Sequence, residues 1–177
     1  MKFNRKYKDS EINKIIKSIV ILVDTREKVN SHILMWLKHN KINYISYGLS
    51  FGDYSFMIPK NDNLGILEDI YFNNDIVIER KANAEEISGN FTENRERFER
   101  EFERGNGKIR LLIEDTSYSN ICDHKYNTKT TVNSFISSLH SFQEYYNTPF
   151  MFTGKKDSGV YIYNTFKYYI KNILKNG

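Results

Sequence analysis

The chain has 177 residues, with 26 lysines and arginines against 22 aspartates and glutamates, a net charge of +4 and a pI near 9.0. That length is one domain by default and buries about 70% of its unfolded surface, enough for a core without covalent staples. The single cysteine, Cys122, excludes an internal disulfide and a cysteine-rich zinc site, and so points to a reducing, cytoplasmic setting. No apolar run is long enough to cross a bilayer, and residues 1–18 are too polar for a signal peptide.

Residues 1–18 read as a basic N-terminal extension, and residues 19–177 as the domain proper. Within the extension, Ile12, Ile15 and Ile16 are spaced for a short amphipathic helix after Ser10; a solvated terminus and a phosphate-touching arm are both open. Residues 19–24 are apolar and β-branched, a buried strand that runs into Asp24-Thr25-Arg26-Glu27. Ser31 can cap a helix with Ile33, Leu34 and Leu37 on one side. Residues 42–47 and 53–58 alternate as strands, and 49–52 between them reads as a hairpin connection in which Gly52 frees the backbone to set Asp53. Residues 59–75 form a long connection or an extended hairpin.

The strand at 76–78 ends in Glu79-Arg80-Lys81. Alternation puts Glu79 and Lys81 on one face, about 7 Å apart along the backbone, and Arg80 on the other. Residues 82–88 then make a helical turn that returns Glu85 and Glu86 toward that strand end. A helix capped by Asn90 or Thr92 follows, with Phe91, Phe98, Phe102 and Arg95 on one face and alternating Glu and Arg elsewhere; Gly105-Asn106-Gly107 ends it. Residues 108–115 are a buried strand, 116–131 a polar loop, 132–146 a core-facing helix and 150–152 a short strand. The last helix, 159–174, carries more aromatics than one core usually needs, which predicts a homodimer contact there. His32, His39, His124 and His140 have no HxH or HExxH spacing, which argues against a zinc hydrolase.

If these strands share one sheet, Asp24, Asp53 and Glu79 converge. Two carboxylates at 4 Å repel by about 4 kcal/mol at an effective dielectric of 20, so three call for a divalent cation or for protonation. Mg²⁺ or Mn²⁺ suits such oxygen ligands and would activate water for in-line attack on a phosphodiester. Lys81 would orient or deprotonate that water and neutralise the charge that develops. Arg26 and Arg80 are candidates for phosphate contact. Because Arg80 alternates to the opposite face, a buried ion pair, for instance with Glu27, stays open for it. Glu114 reads as an ordinary charge at a strand end.

Gly52-Asp53, followed by Glu79-Arg80-Lys81 with Glu85 beyond, is similar to the G-D-x(n)-E-R-K-x(3)-D signature of XPF/Hef-type structure-specific endonucleases. These belong to the PD-(D/E)XK, restriction-endonuclease-like superfamily. Val23-Asp24-Thr25-Arg26-Glu27 resembles the family's V-D-x-R-E, and Leu111-Leu112-Ile113-Glu114 its L-L-I-E strand. The resemblance implies an α/β fold with a restriction-endonuclease-like mixed central β-sheet flanked by α-helices. It also implies a stand-alone, Mg²⁺- or Mn²⁺-dependent enzyme that cuts branched or flapped DNA in repair or recombination. Asp53, Glu79, Lys81, Asp24, Arg26 and Arg80 would be catalytic, with Asp24, Asp53 and Glu79 on the metal. Arg95 and Arg97 would join Arg26 and Arg80 on the DNA, and the C-terminal helices would form a homodimer. Two departures stand out: Glu85 replaces the closing Asp, and no helix-hairpin-helix module follows, which leaves substrate geometry open. The alternative is a catalytically silent DNA-binding partner or scaffold of a nuclease complex; all the principal acids and Lys81 are present, which favours the enzyme.

Overall fold

Strands that are apolar on both faces take the middle of a sheet, and those with polar residues take its edges. The computed structural model describes residue 3 and residues 5–176, so residues 1, 2 and 4 of the basic extension lie outside the described residues. Helix α1 (Asp9–Lys17) leads into β1 (Val20–Asp24), α2 (Ser31–His39), β2 (Asn43–Tyr47) and β3 (Tyr54–Ile58). A 3₁₀ turn at Asp62–Leu64, β4 (Ile70–Tyr71) and β5 (Val77–Lys81) follow. The chain continues through α3 (Ala84–Phe91), α4 (Arg95–Gly105), β6 (Ile109–Glu114), α5 (Tyr118–Cys122), α6 (Val132–Tyr146), β7 (Phe150–Thr153) and α7 (Lys155–Asn176). The strands form one mixed sheet in the order β2-β1-β3-β5-β6-β7, with β4 beside β3. This is the expected α/β architecture.

Adjacent residues of each central strand serve opposite faces. Ile21, Val23, Phe56, Ile78 and Leu112 pack against α1, α2 and α7 through Ile15, Ile33, Leu37 and Phe166. Val77, Leu111 and Ile113 pack against α3, α4 and α6 through Ile87, Phe98, Phe102 and Phe135. The site described below sits where this second layer meets the sheet.

The expected hairpin between residues 42–47 and 53–58 does not form. β1 lies between them, parallel to β2 and antiparallel to β3. The reason is burial: β1 is covered on both faces, whereas Asn43, Tyr44, Ile45 and Ser46 are exposed and belong at an edge. Helix α2 supplies the crossover that parallel pairing needs. Residues 49–52 therefore pass over the end of β1 instead of turning a hairpin. Residues 59–75 do fold back, since β4 pairs antiparallel with β3.

The N-terminal segment is no separate arm where it is described. Ile12, Ile15 and Ile16 are buried in the same core as α7, and the Phe3 and Phe72 rings stack at 6.4 Å. A boundary at residue 19 therefore cuts through one core. Within the expected loop at 116–131 stands α5, capped by Ser117; only Ile121 is buried in it, too little apolar signal to betray a helix. Helix α7 begins at Lys155, with Gly159 inside it. A Cβ at Gly159 would lie 2.8 Å from Trp36, so this glycine lets α7 approach α2 closely. The aromatic surplus of α7 goes largely into the chain's own core: Phe166 is fully buried, and Tyr161, Tyr163 and Tyr169 lean on that same core, while Tyr168 is exposed. Among the described residues no helix is long and apolar enough to cross a membrane.

Candidate active site

Strand β3 runs antiparallel between β1 and β5, so its beginning lies beside the ends of both neighbours. Asp53 stands at that point. Its backbone N–H donates to Ile78 O at 2.8 Å, and its carbonyl accepts from Asp24 N at 2.8 Å. Gly52, just before it, has φ +73, and a Cβ there would come 2.7 Å from Val77 Cγ2. Only glycine allows the turn and the close approach together. The Asp53 side chain then accepts the Arg80 backbone N–H at 2.7 Å.

One register step along β5 brings Glu79 to the same wall. Lys81 Nζ donates to Glu79 Oε1 at 2.7 Å, lies 3.8 Å from Glu86 and sits 4.9 Å over the Phe98 ring. The other carboxylate oxygen, Glu79 Oε2, is buried with no hydrogen-bond partner among the described residues. A cleft of about 470 Å³ opens here between the sheet and helices α3 and α4. Asp53, Glu79 and Lys81 line it, with Arg26, Arg97 and Glu101 around them.

Burial, reinforced by Glu79, holds Asp53 well above the usual carboxylate range despite the Arg80 N–H. Glu79 is pushed up to about 7: burial raises it, Lys81 opposes, and Glu101 adds to the rise. Burial would lower Lys81, but Glu79 outweighs that and keeps it an ammonium ion. Lys81 is therefore suited to orienting water and stabilising negative charge.

Three residues named from the sequence lie differently from what alternation and motif order suggest. Asp24 does not join Asp53 and Glu79 on the cleft wall. Its Oδ1 accepts from Arg26 N at 2.9 Å and Arg26 Nε at 2.6 Å, and its Oδ2 from Leu49 N at 2.7 Å. Burial favours its neutral form, yet Arg26 and the two amides hold its pKa low. Its lone pairs go to fastening the segment after β2, and among the described residues no three acids, histidines or cysteines are grouped to hold an ion. Arg80, the second case, lines the cleft but commits its guanidinium to the protein: Nη1 donates to Glu114 at 2.7 Å, and Nη2 to Glu27 and to Val29 O at 3.0 Å. The ion-pair alternative is the one the structure realises. Third, Arg95 pairs with Glu99 at 2.7 Å and lies over Phe142, away from the cleft. Residues two apart on a helix point about 200° apart, so Arg95 and Arg97 cannot share one groove.

Other placements follow the expectation more closely. Arg26 keeps 61% of its side chain exposed at the rim, and Arg97 lines the cleft. Glu85 also lines it, with Oε1 accepting from Asn127 N at 2.8 Å. Sequence reasoning passed over Glu101, His32 and the role of Glu114. Glu101 Oε1 accepts from Gly52 N at 3.0 Å, while Glu114 is fully buried and holds His32 at 2.8 Å as well as Arg80. A charge closing the apolar run Leu111-Leu112-Ile113 was the one visible signal for Glu114.

No curated protein matches the sequence. Among solved structures, XPF from Aeropyrum pernix is similar with a TM-score of 0.62 at 16% identity, over 85% of this chain and 65% of that one. XPF from Aeropyrum pernix in complex with DNA is similar with a TM-score of 0.60 at 17% identity, over 86% and 66%. The chain thus spans about two thirds of the length of these XPF chains, and the likeness is one of fold. The model of the ERCC4 domain matches residues 23–165, a span that takes in Asp53, Glu79, Lys81 and all of α4, and the chain belongs to the ERCC4 domain family.

Proposed function

We propose that the chain is a divalent-cation-dependent endonuclease that hydrolyses phosphodiester bonds in branched or flapped DNA. The observation that carries this reading is the meeting of Asp53 and Glu79 in one open cleft with the Lys81 ammonium bonded to Glu79. The fold, shared with an XPF solved in complex with DNA, supports the substrate class.

The residues fit a cation. Asp53 and Glu79 are hard oxygen donors, they are buried beside each other, and Glu79 Oε2 has no other partner among the described residues. Mg²⁺ is commonly held by one or two carboxylates, with water and phosphate oxygens completing its shell. When bound, such an ion would supply Lewis-acid activation of the phosphoryl group and of water. The protein's own groups do the rest. Lys81, kept charged by Glu79, places a cation beside the phosphate as negative charge builds up. Arg26 and Arg97, at the rim, hold the flanking backbone by charge, while Arg80 fixes Asp53 through its amide. Asp24 acts one step back, by orienting Arg26.

Lys81→Met is expected to lower turnover by roughly a hundredfold while Mn²⁺ affinity, followed by calorimetry, is retained or rises. Loss of Mn²⁺ binding in this variant would contradict the division of roles. A homodimer through α7 would have to use the exposed strip around Tyr168 and Met151. A monomeric mass in light scattering at micromolar concentration removes it. The nuclease reading itself is tested with labelled flaps, forks, bubbles and four-way junctions in Mg²⁺, Mn²⁺ or EDTA. Nicking of at least one branched substrate that EDTA abolishes is expected, and DNA binding without cleavage in either metal would favour a silent partner.

A further inference from the structure

Glu101 belongs to none of the motifs that define the site, yet α4 brings it to the cleft wall. Its Oε1 accepts the Gly52 N–H at 3.0 Å, one residue from Asp53. Glu101 also lines the cleft with Glu79, a residue 4% exposed whose Oε2 has no partner among the described residues, and the charge of Glu101 raises the pKa of the Glu79 carboxyl group. Two acids so placed repel each other, and nothing in the clip to Gly52 requires a charge, since a glutamine oxygen accepts the same N–H. The negative charge of Glu101 therefore disfavours an ionised Glu79 beside it, and in the chain alone Arg26 at the rim offsets it in part. Lys81 is already committed to Glu79 and Glu86.

We propose that Glu101 is a positioning residue for the divalent cation, adding a third negative charge beside Asp53 and Glu79 and locking α4 to the Gly52 turn that sets Asp53. The inference rests on the cation-dependent reading above. No three such groups among the described residues are arranged to hold an ion together, so Glu101 acts on the cation by charge, not as a direct ligand.

The test is calorimetric titration of MnCl₂ into the full chain, as wild type, E101Q and E101A, with melting curves of each in EDTA. One charge removed about 6 Å from a divalent ion, at a water-like dielectric, weakens binding by about tenfold. E101Q is expected to show that loss of Mn²⁺ affinity while melting in EDTA at the wild-type temperature or above, because Gln keeps the acceptor for Gly52 and removes the repulsion. E101A is expected to lose the affinity and to melt lower, because the clip goes too. A wild-type Mn²⁺ affinity in E101Q overturns the proposal, and so does an E101Q chain that fails to fold, since the charge would then be structural. If the wild type itself takes up no Mn²⁺, the cation reading of the whole cleft falls; if the wild type binds and E101Q binds equally, only the role of Glu101 falls.

Discussion

Asp53→Asn is expected to reduce Mg²⁺-dependent nicking of branched DNA by roughly a thousandfold or more, with the fold intact, and Glu79→Gln to do the same. Each change removes one of two buried carboxylates that face the cleft and leaves the Gly52 turn and the Arg80 amide in place. The same variants carry a signature in stability that an inert acid would not. Both acids have folded-state pKa values raised by burial, with Glu79 adding to the rise at Asp53 and Glu101 to the rise at Glu79. A carboxyl group raised in the native state keeps its proton where the unfolded chain has lost it. Its contribution to stability is therefore present at low pH and fades as pH rises, for Glu79 between its ordinary 4.5 and about 7. In cation-free buffer the wild type should melt several degrees lower at pH 8 than at pH 5 from this source. Asp53→Asn and Glu79→Gln should each flatten that fall, and Mg²⁺ should restore stability to the wild type at pH 8 but not to the variants. Differential scanning calorimetry in EDTA and in Mg²⁺ reads all of this. Undiminished nicking by either variant would remove the catalytic assignment.

Arg80→Ala is expected to cost about 3–5 kcal/mol, the range for removing one partner of a buried ion pair. Arg80 is 6% exposed, and its loss would strip Glu27 of its ion pair and leave buried Glu114 with His32. In a domain of this size that lowers the melting temperature by roughly 10 °C or more. Arg80→Lys should recover only part, because an ammonium group cannot bridge Glu27, Glu114 and Val29 O with the planar fork that Arg80 uses. Activity should fall with stability, since the Arg80 side chain anchors the end of β5, from which the backbone amide reaches Asp53. Urea or thermal denaturation checks the claim, and an Arg80→Ala loss below about 1 kcal/mol would show that the network carries little of the fold.

The centre of the fold was legible because it is written in short, largely apolar runs rich in Ile, Val and Leu. Residues 19–24, 76–78 and 108–115 could be little else but buried strands, and they became β1, β5 and β6. Pairing was less legible. A short connection between 42–47 and 53–58 suggests a hairpin, but the exposure of Asn43 through Ser46, which sends β2 to the edge, only exists once β1 has found both its partners. The site divides the same way. Asp53, Glu79 and Lys81 were readable from a glycine turn and from period-two alternation at a strand end. Asp24 stands apart from the cleft wall, which was not readable because a motif names a residue but not its hydrogen bonds, and here Arg26 and Leu49 take them up. Arg95 and Glu101 were hidden by the alternating Glu and Arg of α4. On a helix dominated by charge, only its position against Phe98 and Phe102, both buried, tells which charges face the cleft and which face water.

The proposed chemistry requires that a cation and the scissile phosphate meet at Asp53 and Glu79 and not at Asp24. Anomalous diffraction from a crystal of this chain soaked in Mn²⁺ tests it most directly. The expected result is a peak within bonding distance of Asp53 and Glu79, adjoining Lys81, that disappears in Asp53→Asn. A peak at Asp24, or a cleft that takes up no ion at millimolar Mn²⁺, would contradict it.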